Sequence, residues 1–160
     1  MKIKKQIKLK NKLSKNELTI INESKNKIPI RFIKTWLNSL LESHLKSHRK
    51  EIANKNIVIV FMNQAKAKKI NFQFRQKSYA TDILSFKGEY DDLGELIICF
   101  DVIKKQAKEH GLSLKEELGY MLIHGVLHLL GYEHELDAKS AKKMFSKQDN
   151  IFKKMCVEFL

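Results

Sequence analysis

The sequence predicts an α/β fold of the α+β-like kind, a small mixed sheet of about four strands covered by helices, with one buried helix at its centre. Three observations carry this prediction. Asn56 to Met62, Asn-Ile-Val-Ile-Val-Phe-Met, is β-branched and apolar enough for a buried strand. Ser113-Leu-Lys-Glu116 is a capping-box pattern, and it opens a segment reaching about Leu130 that is apolar on nearly every face. The connections between these segments are short and polar, and no repeat or Pro- or Gly-rich linker separates them, so a single domain over residues 1–160 is expected.

The elements follow in order. Glu17 to Asn22 reads as a first strand. Pro29 suits the first turn of a helix, and Ile33, Trp36, Leu37, Leu40, Leu41 and His44 follow at helical steps, with His44 as a satisfied or surface histidine. After the Asn56 to Met62 strand, a polar helix is expected from Gln64 to about Phe74. Thr81 to Phe86 and Gly94 to Phe100 read as an antiparallel pair, because only the polar connection from Lys87 to Asp92 lies near their joint. A helix from Asp101 stops at Gly111, and Asp137 caps a last helix whose apolar residues include Ala141, Met144, Phe145, Phe152, Met155 and Phe159.

Composition narrows the function classes. The formal net charge of +13 favours a polyanionic partner such as nucleic acid. Its plainer explanation is compositional bias, since 28 of the 31 basic residues are Lys and only Arg31, Arg49 and Arg75 are Arg. Residues 1–30 hold nine Lys against Glu17 and Glu23, so a Lys-rich arm at about residues 1–16 is either a solvated tail or a phosphate-tracking segment. No apolar run approaches the roughly 20 residues of a membrane span, and no signal-peptide pattern follows the basic start. A cytoplasmic protein without membrane partners is expected, with Cys99 and Cys156 as reduced thiols.

Half of the six histidines fall within residues 124–134. His124 and His128, four apart on the buried helix, project from nearly one face. Gly131 lets the chain leave the helix and curl back, which brings His134 to the same point. Three neutral imidazoles are a usual set for catalytic Zn²⁺, one ion per chain, although other imidazole-binding divalent ions suit the same ligands. Buried singly, the three would each cost free energy; a shared ion removes that cost. His48 and His110 stand in polar stretches and call for no metal. The spacing is also that of metzincin peptidases, but those carry Glu after the first His as general base, and here Gly125 stands in that place.

The motif His124-Gly-Val-Leu-His128-Leu-Leu-Gly131-Tyr132-Glu-His134 resembles the signature of the YbeY-type endoribonucleases, also described as rRNA maturation factors. Phe74-Arg75 with Thr81-Asp82-Ile-Leu-Ser85-Phe86 is similar to that family's Arg segment and its Thr-Asp-Val-Leu-Ser-Phe strand. Leu93-Gly94-Glu95-Leu-Ile-Ile resembles the strand that usually reads Leu-Gly-Asp-Ile. The resemblance covers about residues 56–155. The chain departs from the pattern at Gln76, Ala80, Lys87, Glu95 and Glu133, and the Lys-rich arm lies outside it.

The resemblance implies metal-dependent, single-strand-specific RNA cleavage in rRNA maturation and assembly or quality control of the small ribosomal subunit. Its implied partners are single-stranded RNA, rRNA and that subunit. Arg75 is the candidate catalytic residue, because a guanidinium binds phosphate bidentately and the matching segment singles it out. Lys77 is a candidate to assist. Thr81 and Ser85, on one face of the expected strand, are candidates to line the substrate cleft. Tyr132 suits either base stacking or helix-end packing. Two other readings are a non-catalytic, zinc-containing ribosome-assembly factor and, less favoured because of Gly125, a divergent metallopeptidase.

Overall fold

A computed structural model of the chain describes residues 17–160 together with the pairing of a two-residue strand, Gln6–Ile7 (β1). The rest of the Lys-rich arm lies outside the described residues. The other strands are β2 (Leu18–Asn22), β3 (Asn56–Met62), β4 (Ile83–Lys87) and β5 (Asp92–Cys99). These four make the expected mixed sheet, with β1 added at one edge in the order β1-β2-β3-β5-β4. β2, β3 and β5 run parallel, whereas β1 and β4 are antiparallel to their neighbours, so the β4–β5 hairpin is as the sequence predicts.

The helices are α1 (Ile30–Ser39), α2 (Arg49–Ile52), α3 (Gln64–Arg75), α4 (Phe100–His110), α5 (Leu114–Leu129) and α6 (Ala138–Phe159). Alternation along the strands sorts the core into two layers. Ile57, Ile59 and Phe61 of β3 and Leu96 and Ile98 of β5 join the large cluster under α1, α5 and α6. Met62 and Cys99 face the other way and meet Ala67, with Ile70 packed against them, so α3 covers the second face. Trp36 is fully buried in the large cluster, and its indole N–H donates to the Gly119 carbonyl at 3.0 Å, which leaves no polar atom of the ring unpaired. Each such buried large side chain contributes about 1.5–3 kcal/mol.

Several boundaries differ from expectation. Pro29 precedes α1 rather than lying in its first turn, and its ψ of 69° is not helical. The helical periodicity through His44 is kept, but Leu40–His44 forms a π turn, followed by a tight turn at Lys46–His48. Leu40 and Leu41 both stay buried through this turn. β4 starts at Ile83, so Thr81 precedes the strand. The Asp82 carboxylate accepts from the Ile83 N–H at 2.7 Å and the Thr81 hydroxyl at 3.1 Å, while the Asp82 carbonyl still accepts from the Cys99 N–H at 2.9 Å, so bonding to β5 reaches Asp82 and Thr81 lies in the loop before it. β5 begins two residues earlier than expected, through a register irregularity between Asp92 and Gly94.

The capping box is present at the start of α5: Ser113 accepts from the Glu116 N–H, and Glu116 accepts from the Ser113 N–H. Cys99 and Cys156 are free thiols. Among the described residues no helix is long and apolar enough to cross a membrane.

Candidate metal centre

From Glu117 to Leu129, α5 is buried except at Tyr120, His124 and His128. These three, four residues apart in turn, form a stripe that faces a cleft of about 620 Å³. Gly131 then adopts φ 91°, a backbone conformation that a side-chain-bearing residue resists. The Tyr132 N–H donates to the Leu127 carbonyl at 3.0 Å and the Gly131 N–H to the His128 carbonyl at 2.9 Å, closing the helix end and turning the chain back. His134 thereby joins the pair. Ring centroids are 4.7 Å apart for His124 and His128, 5.1 Å for His124 and His134, and 4.9 Å for His128 and His134. One nitrogen from each lies within 4.8 Å of the others, a set that could hold a metal ion.

The protonation pattern of the rings fits a cation. Gln148 of α6 is fully buried, and its Nε2 donates to the Tyr120 carbonyl at 3.3 Å, which turns Oε1 toward His124. His124 Nδ1 lies 3.0 Å from that oxygen and must be the protonated nitrogen, leaving a lone pair on Nε2. His128 Nδ1 lies 3.7 Å from the Glu133 carboxylate, which favours its proton there and a lone pair on its own Nε2. The two Nε2 atoms are 3.1 Å apart. His134 Nδ1 is buried with no hydrogen-bond partner among the described residues. Facing lone pairs and an orphaned ring nitrogen are costly alone and are satisfied by one shared ion.

Burial pushes the His124 pKa down to about 4, against the opposing bond from Gln148, and the neighbouring imidazoles add to the depression. Burial lowers His128 as well, with His134 contributing. Both rings are therefore neutral near pH 7, as ligation requires. Phe145 closes one side of the cluster, 5.3 Å from the His134 ring and 6.3 Å from that of His124.

The structure brings the candidate metal-ligating, catalytic and substrate-binding residues into this cleft, but not Tyr132. Arg75, Lys77, Thr81 and Ser85 line it beside the three histidines, with Phe74 and Tyr79 on the same wall and Glu133 and Glu135 near His134. Arg75 is ion-paired with Glu135, and that bond and the guanidinium charge hold the Glu135 carboxyl below the usual range. Thr81 lines the cleft from the loop before β4, not from the strand. Tyr132 turns away from a stacking role. Its hydroxyl bonds His48 Nε2 at 2.9 Å, His48 Nδ1 donates to Glu51 at 2.7 Å, and Lys143 and Lys147 lie over its ring at 5.6 and 5.7 Å. His48, which sequence reading set aside, is thus tied to the loop that carries His134.

Gly125, between the first two histidines, faces the sheet. A Cβ there would lie 2.7 Å from Ile83 Cδ1 and 2.8 Å from Leu96 Cδ2. A glutamate in that place would enter the apolar layer between α5 and the sheet, away from the cleft.

Gln148, Glu135, Phe145 and the exposed Phe74 and Tyr79 were not picked out as site residues by sequence reading. Gln148 left a signal, a polar residue in register with Met144, Ile151 and Met155 on the buried face of α6.

Comparison with known proteins agrees with this arrangement. The family model described as Endoribonuclease YbeY matches residues 19–156. A protein of that name from Bdellovibrio bacteriovorus is 49% identical over 140 residues, covering 85% of this chain and 93% of its own length. Another of the same name, from a Sulfurihydrogenibium species, is 39% identical over 157 residues, covering 94% and 99%. The solution structure of TM1509 from Thermotoga maritima superposes with a TM-score of 0.61 at 29% identity, over 88% of this chain and 91% of that one. With the histidine set, the fold and these relatives in agreement, the chain belongs to the Endoribonuclease YbeY family.

Proposed function

We propose that this protein is a metal-dependent endoribonuclease that cleaves phosphodiester bonds in single-stranded RNA, acting in rRNA maturation and assembly of the small ribosomal subunit. The observation that carries the reading is the convergence of three lone-pair imidazoles and a guanidinium in one open cleft. Relatives that share most of the chain carry the endoribonuclease name.

His124, His128 and His134 hold the ion, and imidazole-only ligation suits Zn²⁺. A divalent ion bound there supplies Lewis-acid polarisation of a phosphoryl oxygen. The remaining work belongs to the chain. Gln148 fixes the tautomer and tilt of His124. Arg75 exchanges Glu135 for a substrate phosphate, which its planar fork contacts through two N–H groups as charge develops. Lys77 adds positive potential at the same wall, and Ser85 and Thr81 offer hydroxyls to the sugar-phosphate chain.

The test is cleavage of an end-labelled RNA by the zinc-loaded protein, offered as a single strand and as a duplex of the same sequence. Internal cuts confined to the single strand are expected. Stoichiometric metal with both RNAs intact would overturn the nuclease reading and favour an assembly factor that only binds.

A further inference from the structure

Phe74 and Tyr79 are 59% and 54% exposed, although each has an aromatic ring that gains free energy by leaving water. Both line the cleft that holds the histidines, and Arg75 and Lys77, which stand between them in the sequence, line it too. Neither is loosely placed. Phe74, near the end of α3, meets Phe86 of β4 edge to face, with centroids 4.9 Å apart and an interplanar angle of 69°. Tyr79 is fixed through its backbone, because the fully buried Asn71 donates from Nδ2 to the Tyr79 carbonyl at 2.8 Å. Between them Gln76 takes a left-handed conformation, φ 57°, and its N–H donates to the Phe72 carbonyl at 3.0 Å, which sets the turn out of α3.

Held but uncovered aromatic rings interleaved with cations are what a single nucleic-acid strand requires, since cations track phosphates while rings stack on bases. The net charge of +13 complements a polyanion, and at the cleft Lys77 and Arg75, the latter released when a phosphate displaces Glu135, are placed to meet it. A duplex cannot use the rings without first unstacking its bases.

We propose that Phe74 and Tyr79 form a stacking platform for the unpaired bases flanking the phosphate held at Arg75, and that this platform sets the preference for single-stranded RNA. The proposal rests on the RNA-cleavage reading and adds the feature by which the substrate is selected.

The test is equilibrium binding of the full metal-loaded chain to two fluorescein-labelled 2′-O-methyl RNA decamers, one with all its bases and one abasic at its four central positions, followed by anisotropy. Wild type should bind the complete decamer roughly 10-fold or more tightly than the abasic one. In a Phe74→Leu/Tyr79→Leu double variant that gap should close, through weaker binding of the complete decamer, while affinity for the abasic decamer stays as it was. Leu keeps an apolar contact with Phe86, and a Phe74→Trp/Tyr79→Phe variant should restore the gap, which separates stacking from folding. A gap that is absent in wild type, or unchanged in the double Leu variant, would overturn the platform while leaving the nuclease reading intact. Wild type that binds neither decamer would overturn both.

Discussion

Gln148 Oε1 lies 3.0 Å from His124 Nδ1, and this one contact decides which nitrogen of the first histidine faces the cleft. Its orientation is not free, because Gln148 Nε2 is spent on the Tyr120 carbonyl. Gln148→Met keeps the volume and removes the acceptor, so His124 loses its enforced tautomer. Metal affinity should fall about 10- to 100-fold. Competition with a chelator such as EDTA measures it, and unchanged affinity would mean the tautomer is set elsewhere.

Gly125 separates packing from chemistry within the histidine motif. The atoms that a Cβ would meet, Ile83 Cδ1 and Leu96 Cδ2, are side-chain tips that can shift. The gain in helix propensity from Gly to Ala is about 1 kcal/mol. Gly125→Ala should therefore change stability by less than about 1 kcal/mol, whereas Gly125→Glu, which drives a carboxylate into an apolar layer, should cost several kcal/mol or prevent folding. Urea denaturation of both variants checks this. A stable Gly125→Glu protein would contradict the placement of this position against the sheet.

Arg75 should affect cleavage without affecting the metal. Arg75→Ala should lower the cleavage rate about 10²- to 10³-fold at unchanged metal content. Arg75→Lys should recover only part of the rate, since an ammonium lacks the planar fork. Glu135→Gln removes the competitor for the guanidinium and should lower KM for RNA. Normal cleavage by Arg75→Ala would remove the role assigned to it.

One pH dependence follows from the opposite end of α5. His110 at the end of α4 bonds the buried Glu117 carboxylate at 2.8 Å, and that bond, then the carboxylate charge, raises the imidazole above its ordinary pKa of 6.5. The folded protein therefore holds this proton more tightly than the unfolded chain. The stabilisation is complete below about pH 6.5 and is lost as pH rises through the raised value. His110→Gln should lower Tm at pH 6 and leave it nearly unchanged at pH 9. Equal losses at both pH values would point to packing rather than charge.

The elements that sequence reading placed well are those whose signals are local. The β-branched run at Asn56–Met62, the Ser113–Glu116 box, the glycine stops and the Asp137 cap each depend on neighbours a few residues away. The histidines belong to the same class, because helical spacing and the turn at Gly131 suffice to gather them. What was missed depends on distant parts of the fold. The π turn at Leu40–His44 continues the helical periodicity of α1, so the sequence pattern gives no sign of it. Gln148 reaches His124 only once α6 lies against α5, and the ion pair of Arg75 with Glu135 joins residues sixty positions apart. Thr81 looked like a strand residue by pattern, yet β4 begins at Ile83 and the bonding to β5 reaches back only to the Asp82 carbonyl, at the far end of β5.

The measurement that bears most directly on the site is metal content and single-stranded RNA cleavage, determined in parallel on wild type and His128→Ala. Near-stoichiometric zinc with cleavage in wild type, and loss of both in the variant, is the expected result. A folded His128→Ala protein that contains no metal and still cleaves RNA at the wild-type rate would contradict a metal-dependent nuclease built on His124, His128 and His134.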